Sequence, residues 1–346
     1  MIPEQEVLPA NSGLIFNLRL RFSAIAKNGA ARFGLPFALL FACLPPLLAA
    51  YYIRTYGVNV IQWDEWDLVK FFDSWYSGTL TLKELFAQHN EHRTFFGRLF
   101  LMGLGHLTHL NTKAAMWASF GALCLLALLL YRLTTPKGTN LKTAIIRFVP
   151  ISWLVFNWNQ SENLLWGFQF QLVLMVLAVA VAVYGLTRST GLDRFFWLAV
   201  ISGIVASYSF ANGLLIWPVG LAQILWQRYW RGNRGVRLFR PQALSWSLIA
   251  GAVYALYLFD YKTGPQHPSM LSFLQHPLLA VGHFLVYLGT PLGTDLNSSM
   301  AMGALLLTVY GCLAVALLAN LSLLPTAQRD QLSGGFSLLL FTLLSG

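Results

Sequence analysis

The sequence predicts an all-helical polytopic membrane protein, with about nine or ten transmembrane helices and a helical juxtamembrane cap in its first outer loop. Three observations carry this expectation. Of 346 residues, 56% are hydrophobic and only 10% are charged, whereas a soluble domain uses about 25% charge to solvate its surface. Mean hydropathy is +0.58. Apolar runs near the length a bilayer demands, about 20 residues, recur along the whole chain. These features exclude a soluble dinucleotide-binding enzyme, a nucleic-acid-binding domain and a secreted disulfide scaffold. The net charge of +10 reads as membrane topology rather than as attraction to nucleic acid. Cys43, Cys124 and Cys312 sit inside apolar runs without metal or disulfide spacing, as small core residues do.

Residues 1–33 read as a polar, basic cytoplasmic segment, and 34–346 as one transmembrane domain. Its runs lie at about 34–53, 114–133, 143–158, 168–187, 196–211, 213–227, 243–259, 277–293 and 300–321, and a last one starts near 335. The first begins too late for a cleaved leader and reads as an uncleaved span. The last stops at Leu344-Ser345-Gly346 with no polar tail, which reads as a chain cut off within a helix. Basic residues set the orientation. Arg19, Arg21, Lys27 and Arg32 precede the first span and place the N-terminus in the cytoplasm. Alternation then puts Arg132, Lys137, Lys142, Arg147, Arg188, Arg194 and the block Arg228, Arg231, Arg234, Arg237 and Arg240 inside as well. That block reads as a positive-inside anchor on lipid headgroups. The acids Asp64, Glu65, Asp67, Asp73, Glu84, Glu91, Glu162 and Asp260 fall outside. The expected setting is a bacterial inner membrane with the working face periplasmic. After residue 260 the segment 277–293 fits either a span or a flat-lying helix.

Connections between packed helices are usually short, so the outer segment 54–112 calls for an explanation. It opens with Trp63-Asp64-Glu65-Trp66-Asp67, three carboxylates flanked by two indoles. Trp66, Val69, Phe72, Trp75 and Tyr76 then recur at helical spacing, Gly78 breaks the pattern, and Thr81 with Glu84 forms a capping box for a short helix. Gln88-His89-Asn90-Glu91-His92-Arg93 follows. From Phe95 to Leu107 an apolar pattern interrupted by Arg98 and glycines is too short to span and predicts an amphipathic surface helix. Indoles beside carboxylates make a partly apolar pocket that raises a carboxyl pKa toward general-base duty. Their faces stack on sugar rings, while Arg93 and the histidines suit a phosphate. A metal reading would join His89 and His92 to Asp64 or Glu91. No His-Glu-x-x-His helix supports it, and a divalent cation stays open as a cofactor.

A second outer element, Asn157 to Gln171, places Glu162, Asn163, Gln169 and Gln171 at the mouth of a span. Polar groups entering a membrane helix usually face an interior cavity, so it reads as a second wall of the same outer site. A third outer segment carries Asp260, Tyr261, Lys262, Pro265, His267, Pro268 and His276, and Lys262 is its candidate phosphate contact.

At these residues the chain resembles the C-type membrane glycosyltransferase superfamily. Within it, the chain is similar to bacterial relatives of protein mannosyltransferases and lipid A aminoarabinose transferases. Asp64-Glu65 matches their acidic pair, and His89-Asn90-Glu91-His92-Arg93 and Glu162-Asn163-Leu164-Leu165-Trp166-Gly167 look like motifs of uncharacterised bacterial kin. The resemblance covers nearly the whole chain, through topology more than identity. It implies a transferase that takes a sugar from a polyprenyl-phosphate donor to a glycan, lipid or protein acceptor at the outer membrane face. Asp64 or Glu65 would deprotonate the acceptor hydroxyl, which attacks the anomeric carbon with inversion. Arg93, with Lys262, would neutralise the departing phosphate. Asp67 is an extra acid and leaves the base open among the three. Trp63, Trp66, His89, Glu91, His92, Arg93, Glu162, Asn163, Gln169 and Lys262 are the expected substrate contacts.

The competing classes are a transporter or flippase, a glycan polymerase or ligase, and a non-catalytic assembly protein. The first would place ionisable groups deep within spans and show paired repeats. Charge here stays at span ends, as at Arg132 and Arg147. The second would centre on a large late loop, and the third would tolerate loss of the acids.

Overall fold

The computed structural model describes residues 34–136, 138–230, 241–262 and 272–345. The expectations for 1–33 (with Arg19, Arg21, Lys27 and Arg32), Lys137, Arg231, Arg234, Arg237, Arg240, Pro265, His267 and Pro268 lie outside the described residues. Among the described residues the architecture is helical without a strand, and its one β-type pairing is an isolated antiparallel bridge from His89 to His92.

In chain order the helices are α1 (Leu35–Tyr56), α2 (Trp66–Tyr76), α3 (Leu82–Leu85), α4 (Phe95–Thr108) and α5 (Thr112–Thr134). Next come α6 (Leu141–Val155), α7 (Ser161–Leu165), α8 (Phe170–Arg188), α9 (Arg194–Ser207) and α10 (Ile216–Trp230). The last are α11 (Pro241–Leu258), α12 (Ser272–Gln275), α13 (Pro277–Gly289), α14 (Leu296–Ala319) and α15 (Thr326–Ser345). Their starts follow from the sequence. Asn111, Asn140, Asp193 and Asp295 each turn a side-chain oxygen onto the first free amides of α5, α6, α9 and α14.

Among the described residues, four segments are long and apolar enough to cross a membrane: Leu35–Tyr56, Thr112–Thr134, Gly167–Arg188 and Leu296–Ala319. Arg194–Ser207 and Pro277–Gly289 are apolar but shorter. The expected run 196–211 divides because the helix stops at Ser207 and Ala211–Leu215 winds as a 3-10 turn. Fourteen helical residues rise only about 21 Å, and the turn folds back on the helix end, where a Cβ on Gly213 would lie 2.0 Å from the Ala206 carbonyl oxygen.

The core is organised around α8. Its Val179, Ala182, Val183 and Leu186 pack with Phe196 and Ala199 of α9, Trp217 of α10 and Trp246 of α11. Its other face, with Val173 and Ala180, packs with Met116, Leu123 and Ala127 of α5 and with Ala49 and Ile53 of α1. The α13–α14 hairpin closes through missing side chains: a Cβ on Gly303 would lie 1.8 Å from the Leu285 carbonyl oxygen, the close backbone approach that small residues permit between membrane helices.

Several loops meet at one end of this body. Asn157 Nδ2 donates to the Pro291 carbonyl at 2.6 Å, Phe96 N donates to the Tyr208 carbonyl at 3.1 Å, and Asn212 Nδ2 donates to the Ser345 carbonyl at 3.3 Å. The cap thus meets the 208–215 turn, and the 156–169 element meets the residues that follow α13. Within the cap, α2 ends as expected at Gly78, whose φ is +70°. Thr81 N and its hydroxyl donate to Glu84 Oε2 at 2.7 and 2.8 Å, which completes the capping box of α3.

Candidate active site

Trp63–Glu65 forms a 3-10 turn that leads into α2. The turn sends its neighbouring carboxylates in opposite directions, a separation that adjacency in sequence conceals. Glu65 goes inward and is only 6% exposed. It accepts from Gln62 N at 2.9 Å and from the backbone amides of Gly167 and Phe168. Gly167 is required there, because a Cβ would meet Ala115 Cβ at 2.7 Å and Glu65 Oε1 at 3.0 Å. A small apolar pocket of about 50 Å³, bounded by Leu68, Phe72, Leu101 and Phe168, adjoins this carboxyl. Burial raises its pKa above the ordinary 4.5, against the opposing pull of the three amides.

The sign of the resulting pH dependence follows. A carboxyl whose folded pKa is raised stabilises the fold most when protonated and loses that contribution as pH rises from 4.5 through the folded value. Glu65→Gln, which cannot ionise, should therefore gain Tm on wild type as pH rises through this window. Paired melting curves at pH 4 and pH 7 check this, and a difference that does not change with pH would remove burial as the cause.

Asp64 and Asp67 go outward, with side chains 42% and 40% exposed. Between them lies His89: Nε2 is 3.2 Å from Asp64 Oδ2 and Nδ1 is 3.1 Å from Asp67 Oδ2. A neutral imidazole carries one N–H, so both acids receive a hydrogen bond together only from the imidazolium. The ring is fixed in place. Its backbone exchanges hydrogen bonds with His92 at 2.8 and 2.9 Å, its edge meets Phe168 at 5.5 Å, and Asn90 turns the loop at φ +49°. Lys70 Nζ also pairs with Asp67 at 3.1 Å. The two ring nitrogens occupy different positions on the ring, so Asp64, His89 and Asp67 do not converge on one point. Among the described residues, no group of three or more His, Cys, Asp or Glu side chains is arranged to hold a metal ion.

An aromatic wall flanks the acids. Trp63 is 68% exposed and Trp66 60%. Trp63 sits edge-on to Trp166 at 5.1 Å, and Trp166 stacks on Phe168 at 5.6 Å. Trp63 holds a backbone φ of +46°, a conformation that costs a bulky residue about 1–3 kcal/mol.

The other face of the 88–93 loop borders a cavity of about 990 Å³. Arg93, Asn90, Lys83, Glu84, Asp260 and Lys262 supply its polar groups, and Phe96, Ile204, Tyr208 and Leu256 its apolar wall. Gln88 ties the third outer segment to the cap: its Nε2 donates to the Lys262 carbonyl at 2.6 Å and its Oε1 accepts from Lys262 N at 3.0 Å. Arg93 is buried and donates from Nε to the Tyr257 carbonyl (2.7 Å), from Nη1 to Phe86 (2.9 Å) and from Nη2 to Phe259 (2.5 Å). Three of the five donors of a guanidinium thus hold backbone.

The structure brings Trp63, Asp64, Trp66, Asp67 and His89 into one cluster and places Arg93 and Lys262 on the adjoining cavity. Glu65 stands behind the cluster. His92 stacks on Phe210 at 3.7 Å and accepts from Ala211 N at 3.3 Å, which docks the loop onto the body, with Glu91 beside it. Among the described residues, no hydrogen bond joins Glu162, Asn163 or Gln169 to the acids. The contribution of that element comes from Trp166, Gly167 and Phe168. Gln171 is buried against Gly97 of α4.

The sequence reading missed Arg98. This buried side chain donates from Nη1 to the carbonyls of Leu85 (3.0 Å) and Ala87 and lies 4.8 Å from the Phe71 ring centroid. Burial pushes its pKa down to about 10, with Asp67 opposing and Arg93 adding. A lone cation within an apolar helix was the signal available for it. Comparison with known proteins finds no matching family, no matching curated protein and no matching solved structure.

Proposed function

We propose that this protein is an inverting glycosyltransferase of the C-type architecture that moves a sugar from a polyprenyl-phosphate donor to a hydroxyl acceptor. It works at the periplasmic face of a bacterial inner membrane, with nine or ten spans and a cytoplasmic N-terminus. One observation carries the reading. The 88–93 loop presents His89 to two exposed carboxylates on one face and borders a cavity holding Arg93, Lys83 and Lys262 on the other. A base and an anion seat on opposite faces of one short loop suit transfer from a phosphate leaving group to a hydroxyl.

Asp64 is the general base. Its Oδ2 is engaged by His89, and Oδ1 is directed to the acceptor. The acceptor proton moves to Asp64 as the acceptor oxygen bonds the anomeric carbon. The carbon–oxygen bond to phosphate breaks, and its electron pair leaves on the phosphate toward Arg93 and Lys262. Asp67 holds His89 from the far side. Glu65 positions the turn and does not touch substrate. The exposed apolar side chains Leu256 and Phe259 near the cavity fit a donor whose chain stays in the bilayer.

The test is mass spectrometry of polyprenyl-phosphate sugars and surface glycans in the native host. Cells would carry the wild-type gene, its deletion, or Asp64→Asn. Accumulation of one lipid-linked sugar with loss of one glycan substituent in both altered strains is the expected result. If Asp64→Asn behaves as wild type while the deletion does not, the acidic cluster is structural and the transfer reading falls.

A further inference from the structure

The acceptor's chemical class is left open by the acids and the cavity, and the aromatic wall bears on it. Trp63 is the feature that packing does not explain. Its indole is mostly exposed and gains little from burial, yet its backbone adopts the left-handed region that a bulky side chain avoids. An indole that only anchored the cap in the headgroup layer would reach it from an ordinary backbone. The strained conformation is kept by its surroundings: Glu65 accepts from Gln62 N just before it, and Trp166 meets its ring edge-on. Of the five non-glycine residues at positive φ among the described residues, three (Trp63, Asn90 and Asp260) belong to the acid cluster or the adjoining cavity, and such strain concentrates at functional sites. A second observation lies beside it. Trp166 Nε1 is buried without an acceptor among the described residues, a donor that a ligand oxygen would satisfy.

We propose that the acceptor is a saccharide, with one sugar ring stacked on the exposed face of Trp63 and its reactive hydroxyl directed at Asp64. This rests on the transfer reading and narrows it. Flat indoles with carboxylates between them recognise a ring that is apolar on its C–H face and hydroxylated at its edge. The apolar-walled cavity is already the seat of the donor's lipid chain, whereas the groups beside Asp64 are the exposed indole faces of Trp63 and Trp66. A peptide acceptor would need backbone partners for an extended chain, whereas the groups exposed here are ring faces and carboxylates.

Saturation-transfer NMR on the full chain in nanodiscs tests the proposal. The probes are neutral tetrasaccharides of glucose, galactose, mannose and N-acetylglucosamine, a serine- and threonine-rich peptide, and a short-chain phosphatidylglycerol. At least one tetrasaccharide should receive saturation on its C–H face. Binding should be about tenfold weaker in Trp63→Gly, the scale of one lost aromatic stacking contact, and largely kept in Trp63→Phe. Trp63→Gly should melt no lower than wild type, because glycine relieves the left-handed strain. No saccharide binding, binding indifferent to Trp63, a lowered Tm in Trp63→Gly, or a Trp63-dependent signal from the peptide or lipid instead would each overturn the proposal. Its failure is distinct from failure of the transfer reading. Glycan loss in Asp64→Asn cells without saccharide binding sinks this proposal alone. Trp63-dependent saccharide binding with unchanged glycans in Asp64→Asn cells sinks the transfer step and leaves a sugar-binding site.

Discussion

Asp64→Asn is expected to lower the rate of sugar transfer by about 10²–10⁴-fold, and Asp67→Asn by clearly less. The two carboxylates look equivalent by exposure and by distance to His89, at 3.2 and 3.1 Å, but their surroundings differ. Asp67 also faces Lys70 at 3.1 Å and lies close enough to the buried Arg98 to oppose its loss of charge. Lys70 engages Asp67 Oδ1 and His89 its Oδ2, so both oxygens of Asp67 are taken. Asp64 has His89 alone among these partners and lies next to Trp63. Asparagine keeps the size of aspartate and still offers His89 an oxygen, so Asp64→Asn removes the proton acceptor while leaving the loop in place. In Asp67→Asn the base remains and only its support changes. Initial rates in proteoliposomes carrying the host's lipid-linked sugars measure both, normalised to folded protein. Equal losses would make the two acids a single unit, and a larger loss at Asp67 would move the base there.

The fold was legible where the bilayer dictates it. Apolar runs must be near-continuous to cross hydrocarbon, so the helices from α5 to α14 that match an expected run fall within a few residues of it, whereas α15 starts at Thr326 rather than near 335 because its first turns are polar; local chemistry marked Thr81, Glu84 and Gly78 correctly. The site was legible in composition but not in direction. Glu65 and Asp64 are neighbours of the same charge, and only Gly167 and Phe168, brought close by tertiary packing, determine that Glu65 is the buried one. The same limit explains the second outer element. Its polar residues drew the functional reading, while Trp166, Gly167 and Phe168 make the contacts. No local pattern could show that Arg93 would spend most of its donors on backbone.

Arg93→Met should destabilise the protein by about 1–3 kcal/mol. The carbonyls that Arg93 holds belong to Tyr257 and Phe259, where α11 ends, and to Phe86, where α3 ends. The last carbonyls of a helix have no partner within it, and a cation there also meets the negative end of the helix dipole. Methionine fills comparable space and bonds to none of them. The Tyr257 bond is buried and the other two are part-buried, so one buried carbonyl left unpaired, at about 1–3 kcal/mol, sets the expected size. The loss should also be local first. Amide exchange should rise at 86–93 and 257–262 before the α8-centred core responds, since Arg93 joins the cap to the end of α11. Arg93→Lys should recover only part of the stability, because a single ammonium cannot reach three carbonyls held apart by a planar fork. The melting temperature and site-resolved exchange of both variants decide the point. If Arg93→Met melts like wild type, the guanidinium is not a strut, and its charge serves the cavity alone. If it melts low while Arg93→Lys keeps the fold but loses transfer, one side chain performs both tasks, closing two helix ends and facing the phosphate.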